Sequence, residues 1–166
     1  MMETNFEGQR IAILVDTANV YHSAKTRYQG RVDYKRLMDL IVRGRKLVRA
    51  IAFVERSEDA EITPFIDALR AVGFETRIKT LRRSSEYKSK GSDWEVGIAL
   101  HATQLAQKVD CIALVSGSGA FVDLMDYLSY NGLRTEVYAF EGCVSHELTY
   151  QTDYWCPIDE DWLMDK

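Results

Sequence analysis

At 166 residues, with 46% hydrophobic and 28% charged content, the chain has the profile of one soluble globular domain, which excludes disordered and fibrous classes. A chain of this size buries about 68–70% of its unfolded surface, enough for one core without metal or disulfide staples. Lys+Arg 21 against Asp+Glu 25 leave a net charge of −4, which excludes a surface that attracts nucleic acid everywhere and directs attention to local patches.

The opening residues M-M-E-T-N-F-E-G-Q-R are polar and acidic, unlike a secretory leader, and no apolar run approaches the roughly 18 residues of a membrane span. A cytoplasmic protein without membrane association is expected. Cys111, Cys143 and Cys156 are odd in number and lack C-x-x-C pairing, so reduced thiols are expected rather than a disulfide framework.

In chain order, Arg10 to Asp16 (R-I-A-I-L-V-D) is a short apolar run ending in an acid, the pattern of a strand buried on both faces. It leads into V-D-T-A-N-V-Y, then a helical period from Asp33 to Arg45, with Leu37, Leu40 and Ile41 on one face. A second strand is expected over Val48–Glu55, a helix over Ile62–Val72 with Pro64 in its first turn and Gly73 past its end, and a third strand over Phe74–Leu81. A helix over Asp93–Val109, a strand over Asp110–Ser116, a helix over Phe121–Tyr130 closed by Gly132 and a strand over Leu133–Phe140 follow. The alternation of about five strands with helices predicts an α/β fold, a three-layer sandwich on a mostly parallel sheet. With no repeat, low-complexity tract or linker, residues 1–166 read as a single domain. Its core spans about 10–140, and a tail over 145–166, with a short helix, Trp155 and Trp162, packs onto it.

Ligands of open parallel sheets bind beyond the carboxyl ends of the strands, beside the point where strand order reverses. Asp16 and Asn19 follow the first strand, and Ser116-Gly117-Ser118-Gly119 follows the fourth. Asp16 also reads as a cap of the helix that follows, with Asn19 closing an Asx turn, and the Ser/Gly loop as a sharp turn or as a phosphate cradle. From Arg77 to Lys90, six basic residues face the single acid Glu86. Arg82, Arg83, Lys88 and Lys90 suit a phosphate backbone, and Tyr87 or Trp94 suits base stacking. The alternative is a solvated loop in which Ser92 or Asp93 caps the next helix.

D-T-A-N after the first strand, K-G-S-D-W before the third helix and S-G-S-G-A-F after the fourth strand together resemble, in order and spacing, the three signatures of the NYN domain, a branch of the PIN-like nuclease superfold. The resemblance spans about Arg10 to Phe140. It implies a Rossmann-like sheet whose carboxyl edge gathers acids around Mg²⁺ or Mn²⁺ for hydrolysis of RNA phosphodiesters. A metal held by carboxylates activates water and offsets charge on the attacking and leaving oxygens. On that pattern Asp16 and Asp93 are metal-facing acids, Asn19 orients a carboxylate or water, and Ser116 and Ser118 belong to the catalytic loop.

The chain departs from the pattern where the family reads S-G-D-x-D-F: Ser118 and Ala120 stand at both acid positions, and Ala99 stands where a further acid is common on the third helix. A hydroxyl brings no charge and alanine no ligand. Asp123, one turn beyond Ala120, is a candidate replacement ligand, and Glu55 and Glu141 end neighbouring strands. His22 could touch a phosphate, while His22, His101 and His146 lack zinc spacing. No G-x-S-x-G nucleophile elbow and no G-x-G-x-x-G after the first strand occurs.

The expected function is RNA binding with metal-dependent ribonuclease (hydrolase) activity. The alternative is a catalytically silent relative that binds RNA or a protein partner, including a second copy in a homodimer. A mononucleotide binder using the S-G-S-G loop is a third reading.

Overall fold

The computed structural model describes residues 6–81 and 94–166. Arg82, Arg83, Tyr87, Lys88, Lys90 and Asp93, all singled out from the sequence, lie outside the described residues.

Strand β1 (Arg10–Asp16) matches its expected bounds. Two helices, α1 (Thr17–Tyr28) and α2 (Tyr34–Val42), then lead to β2 (Lys46–Ser57). The helix expected from Asp33 to Arg45 is α2, while α1 was legible only through its capping residue. Its apolar positions are few, with Val20 and Ala24 as the buried hydrophobic residues. Helix α3 (Thr63–Val72) has its proline in the first turn and ends at Gly73, whose φ of 118° is left-handed. Strand β3 (Glu75–Leu81), helix α4 (Glu95–Leu105), strand β4 (Cys111–Val115), helix α5 (Val122–Tyr130) and strand β5 (Arg134–Phe140) follow the expected order.

The expected tail supplies a sixth strand. After the short α6 (His146–Gln151), β6 (Tyr154–Ile158) pairs in parallel with β5, bringing Trp155 opposite Val137. The alternation around Trp155 was too short to separate a strand from an extended tail.

All six strands are parallel, in the order β3-β2-β1-β4-β5-β6. This is the Rossmann-like order, with the reversal between β1 and β4. Ile11, Ile13 and Val15 point into a core with residues of α1, α2 and α3, whereas Ala12 and Leu14 point into a second core with α4, α5 and α6. The period-two alternation of β1 therefore feeds both helical layers, which explains why it reads as a continuous apolar run. Among the described residues, no helix is long and apolar enough to cross a membrane. All three cysteines are free, with Cys111 buried.

Candidate nuclease-like site at the β1–β4 switch point

Val15 lies beside Val115 in the sheet, so the chain leaves adjacent central strands at Asp16 and Ser116. Asp16 is 1% exposed, and its Oδ1 accepts the Asn19 amide at 3.3 Å, the helix-capping role read from sequence. The Ser116 hydroxyl donates to Asp16 Oδ2 at 3.5 Å, a long contact, and accepts the Ser118 amide at 3.2 Å. Asn19 does not stop at closing its own turn: its Oδ1 accepts the Gly117 amide at 3.0 Å. The two loops nominated separately from sequence thus share one hydrogen-bond network.

The loop after β4 is held from three further sides. Ser118 Oγ accepts the Ala120 amide at 3.3 Å and donates to Glu95 Oε1 at 2.8 Å. The Ser145 amide donates to the Gly117 carbonyl at 2.9 Å. A Cβ at Gly117 would run into the Cys143 carbonyl oxygen, so the glycine is required for backbone close approach. Thr17 ties the start of α1 to β2 by donating to the Phe53 carbonyl at 2.7 Å.

Glu95 joins this network although the sequence motifs do not single it out. It stands two residues after Asp93 on the first turn of α4, and its link to Ser118 joins two segments 23 positions apart. The local signal is K-G-S-D-W-E, whose second acid opens α4. Trp94 corrects an expectation: it is 8% exposed, donates from Nε1 to the Val54 carbonyl at 3.0 Å and sets its ring against Phe53. With Lys79 Nζ 4.2 Å from its ring centroid, Trp94 pins α4 to the sheet rather than offering a free stacking face.

The remaining candidates are dispersed. Asp123 is exposed in the first turn of α5. Glu55 is partly buried beside Lys79 in the sheet, Glu141 is exposed after β5, and His22 is exposed on α1 against the Tyr21 ring. His101 bonds the Gly97 carbonyl through Nδ1 at 2.8 Å and packs against Phe53. Ala99 and Ala120 bring no ligand. Burial first, and then the Asp16 charge, pushes the Tyr34 phenol up.

Among the described residues, no group of three or more His, Cys, Asp or Glu side chains stands ready to hold a metal ion. The donor chemistry nevertheless fits a hard divalent cation in kind: the Asp16 and Glu95 carboxylates occupy the two ends of a run of serine oxygens.

A parallel sheet with this strand order, with a buried acid at the end of β1 beside the strand-order reversal, defines a Rossmann-like α/β protein whose candidate site lies at the carboxyl edge. The NYN domain family model matches residues 10–159, and the chain belongs to that family. It is similar to a crystal structure of a protein of unknown function from Vibrio parahaemolyticus, with 33% identity and a TM-score of 0.87, covering 98% of this chain and 100% of that one. No curated protein matches.

Proposed function

We propose that the chain binds single-stranded RNA along the carboxyl edge of the sheet and hydrolyses its phosphodiesters as a divalent-metal-dependent endoribonuclease. Asp16 and Glu95, joined by Asp93, are the ion-facing carboxylates. The observation that best supports this reading is the hydrogen-bonded run from Asp16 through Ser116 and Ser118 to Glu95, which places acids from β1 and α4 around one loop. Mg²⁺ or Mn²⁺ bound there would activate water and offset the charge of the attacking and leaving oxygens.

The chain's own residues supply positioning. Asn19 holds the Gly117 amide and thereby the loop. Ser116 steadies Asp16 and the Ser118 amide together. Arg82, Arg83, Tyr87, Lys88 and Lys90, which follow Arg77 and Lys79 of β3 in the sequence, bind the RNA.

A second reading is a silent NYN relative that binds RNA without cutting it. Ser118 favours it, because the hydroxyl at this acid position of the family engages one oxygen of Glu95 instead of adding a charge. One experiment decides between them: cleavage of 5′-labelled single-stranded RNA across a Mn²⁺ titration, alongside binding measured in EDTA. The nuclease cuts only with metal, and Asp16→Asn lowers the rate by at least about 10²-fold, the scale on which changes around a metal act, while RNA binding persists. Binding without metal-dependent cutting in the wild type leaves the silent reading standing. Replacing Arg82 and Arg83 with Ala should weaken binding and flatten its dependence on log salt by about 0.7 per lost contact; an unchanged slope removes that loop from the RNA surface.

A further inference from the structure

An open, shallow depression of about 610 Å³ lies beside the site loop, lined by Glu141, Gly142, Val144, His146, Thr149 and Trp155. Its volume lies within the range of small-molecule sites, roughly 300–1,000 Å³. The pocket is built by the segment after β5, the start of α6 and the middle of β6. That first segment packs directly on the site, since the Cys143 carbonyl closes on Gly117 and the Ser145 amide holds the Gly117 carbonyl. It therefore shares a wall with the loop that carries Ser116 and Ser118.

The chemistry of the lining is aromatic and one-sidedly polar. Trp155 offers an indole, and its Nε1 is buried with no hydrogen-bond partner among the described residues. His146 is exposed at the start of α6 with its ring against Tyr150, which is 83% exposed. The Thr149 hydroxyl is already committed to the His146 carbonyl at 2.6 Å, so it adds little hydrogen-bonding capacity. Glu141 brings a carboxylate to the rim. The Arg27 guanidinium lies against Gly142 and places a cation at the same rim.

We propose that this pocket binds a nucleobase, with Trp155 and His146 as its aromatic walls and Glu141 reading the base edge. The proposal rests on the RNA reading above for its usual occupant, a base next to the phosphodiester at Asp16, although a free nucleotide offers the same chemistry. Planar heterocycles stack on aromatic side chains regardless of sequence. A carboxylate accepts hydrogen bonds and donates none. It therefore favours guanine, whose pairing edge presents adjacent N1–H and N2–H₂ donors, and disfavours uracil, whose single N3–H sits between two carbonyls. Arg27 takes the attached phosphate.

The test is equilibrium binding of GMP, AMP, CMP and UMP, and separately of single-stranded RNA oligonucleotides with and without guanine, to the full chain in EDTA. His146→Ala and Glu141→Gln change exposed positions, and Trp155→Phe keeps a ring while deleting the N–H; circular dichroism verifies folding in each. GMP should bind more tightly than UMP. His146→Ala should weaken GMP about tenfold, a loss typical of a stacked base, and Glu141→Gln should weaken GMP more than CMP. The guanine-containing oligonucleotide should lose affinity with unchanged salt dependence, because phosphate contacts remain. Arg27→Ala should instead reduce that salt dependence. Mononucleotide binding without RNA binding supports the pocket and overturns the RNA reading. RNA binding indifferent to all three pocket variants, together with no saturable mononucleotide binding, overturns the pocket and leaves the RNA reading intact. Binding of neither ligand overturns both.

Discussion

At Gly117 the absence of a side chain lets the loop after β4 lie on the backbone of the 143–145 segment. A methyl group there meets the Cys143 carbonyl oxygen, an atom that cannot rotate away, whereas at Gly119 the nearest atoms belong to the Ser145 side chain, at 3.1 and 3.2 Å. Gly117→Ala should therefore destabilise by about 2–3 kcal/mol, the upper part of the range for overpacking, and Gly119→Ala by less than half of that. Urea midpoints for the two variants check this, and equal shifts would show that close approach is not the constraint. The residue scale is also where sequence reading was strongest and weakest at once. Asp16, Asn19 and Ser116 are legible as candidates because each ends or follows a buried strand, a local pattern. Glu95 escaped because its partner is Ser118, and nothing in the spacing of the two residues announces a contact.

Between elements, a buried ion pair ties the turn before β2 to β5, away from the candidate site. Glu136 on β5 is fully buried and accepts from Arg45 Nη1 and Nη2 at 2.8 and 2.9 Å, from Arg134 Nε at 2.9 Å and from the Tyr138 hydroxyl at 2.7 Å. Arg45, in the turn between α2 and β2, also donates to the Ile41 carbonyl at 2.6 Å, so one guanidinium fastens that turn to β5. Burial alone would push Glu136 up, but the hydrogen bonds from Arg45, Arg134 and Tyr138 outweigh it and bring the carboxyl down to about 2. The neighbouring Cys111 thiol is pushed up to about 12, by burial first and then by the Glu136 charge, which leaves it an inert protonated thiol at neutral pH.

Because the folded carboxyl titrates below the ordinary 4.5, its stabilising contribution is full above that value and is lost as pH falls toward about 2. Urea midpoints should therefore decline from about pH 5 downward. Glu136→Gln should cost about 3–5 kcal/mol at neutral pH by leaving the Arg45 charge buried without its partner, and should flatten the acid limb. An acid limb identical in wild type and Glu136→Gln would assign it to other carboxylates. The elements carrying this tie were legible from their apolar period; the tie was not, since an acid inside a strand reads as a solvent-facing position until the tertiary partner is known.

Across the whole molecule, the C-terminal segment closes the fold a second time after β6 has joined the sheet. Val32 bridges Leu163 in antiparallel fashion, the Met164 amide donates to the Arg31 carbonyl at 2.8 Å, and the Asp33 amide donates to the Trp162 carbonyl at 2.9 Å. Arg36 reaches the carbonyls of Asp161 and Leu163 at 2.8 and 3.2 Å. Trp162 itself packs against Tyr138 in the first core, ring centroids 5.9 Å apart. The tail thus fixes the connection between α1 and α2, and α1 carries Asn19. Trp162→Ala should lower stability by about 3–5 kcal/mol, measured by thermal and urea unfolding. The same variant should weaken RNA binding only as far as folding is lost; a binding defect at full helicity would give the tail a direct role.

The sequence by itself determined the order of strands and helices, the parallel layering that follows from their alternation, and the two loops at the switch point. These depend on periodicity, capping and turn chemistry within short windows, which neighbouring residues carry among themselves. Only the tertiary structure decided that the tail becomes a sixth strand, that Glu95 meets Ser118, that Glu136 is buried among arginines and that a pocket opens beside Gly117. Each of these depends on groups brought together through space by strand order and core packing, and side chains far apart along the chain leave no local period by which their meeting could be read.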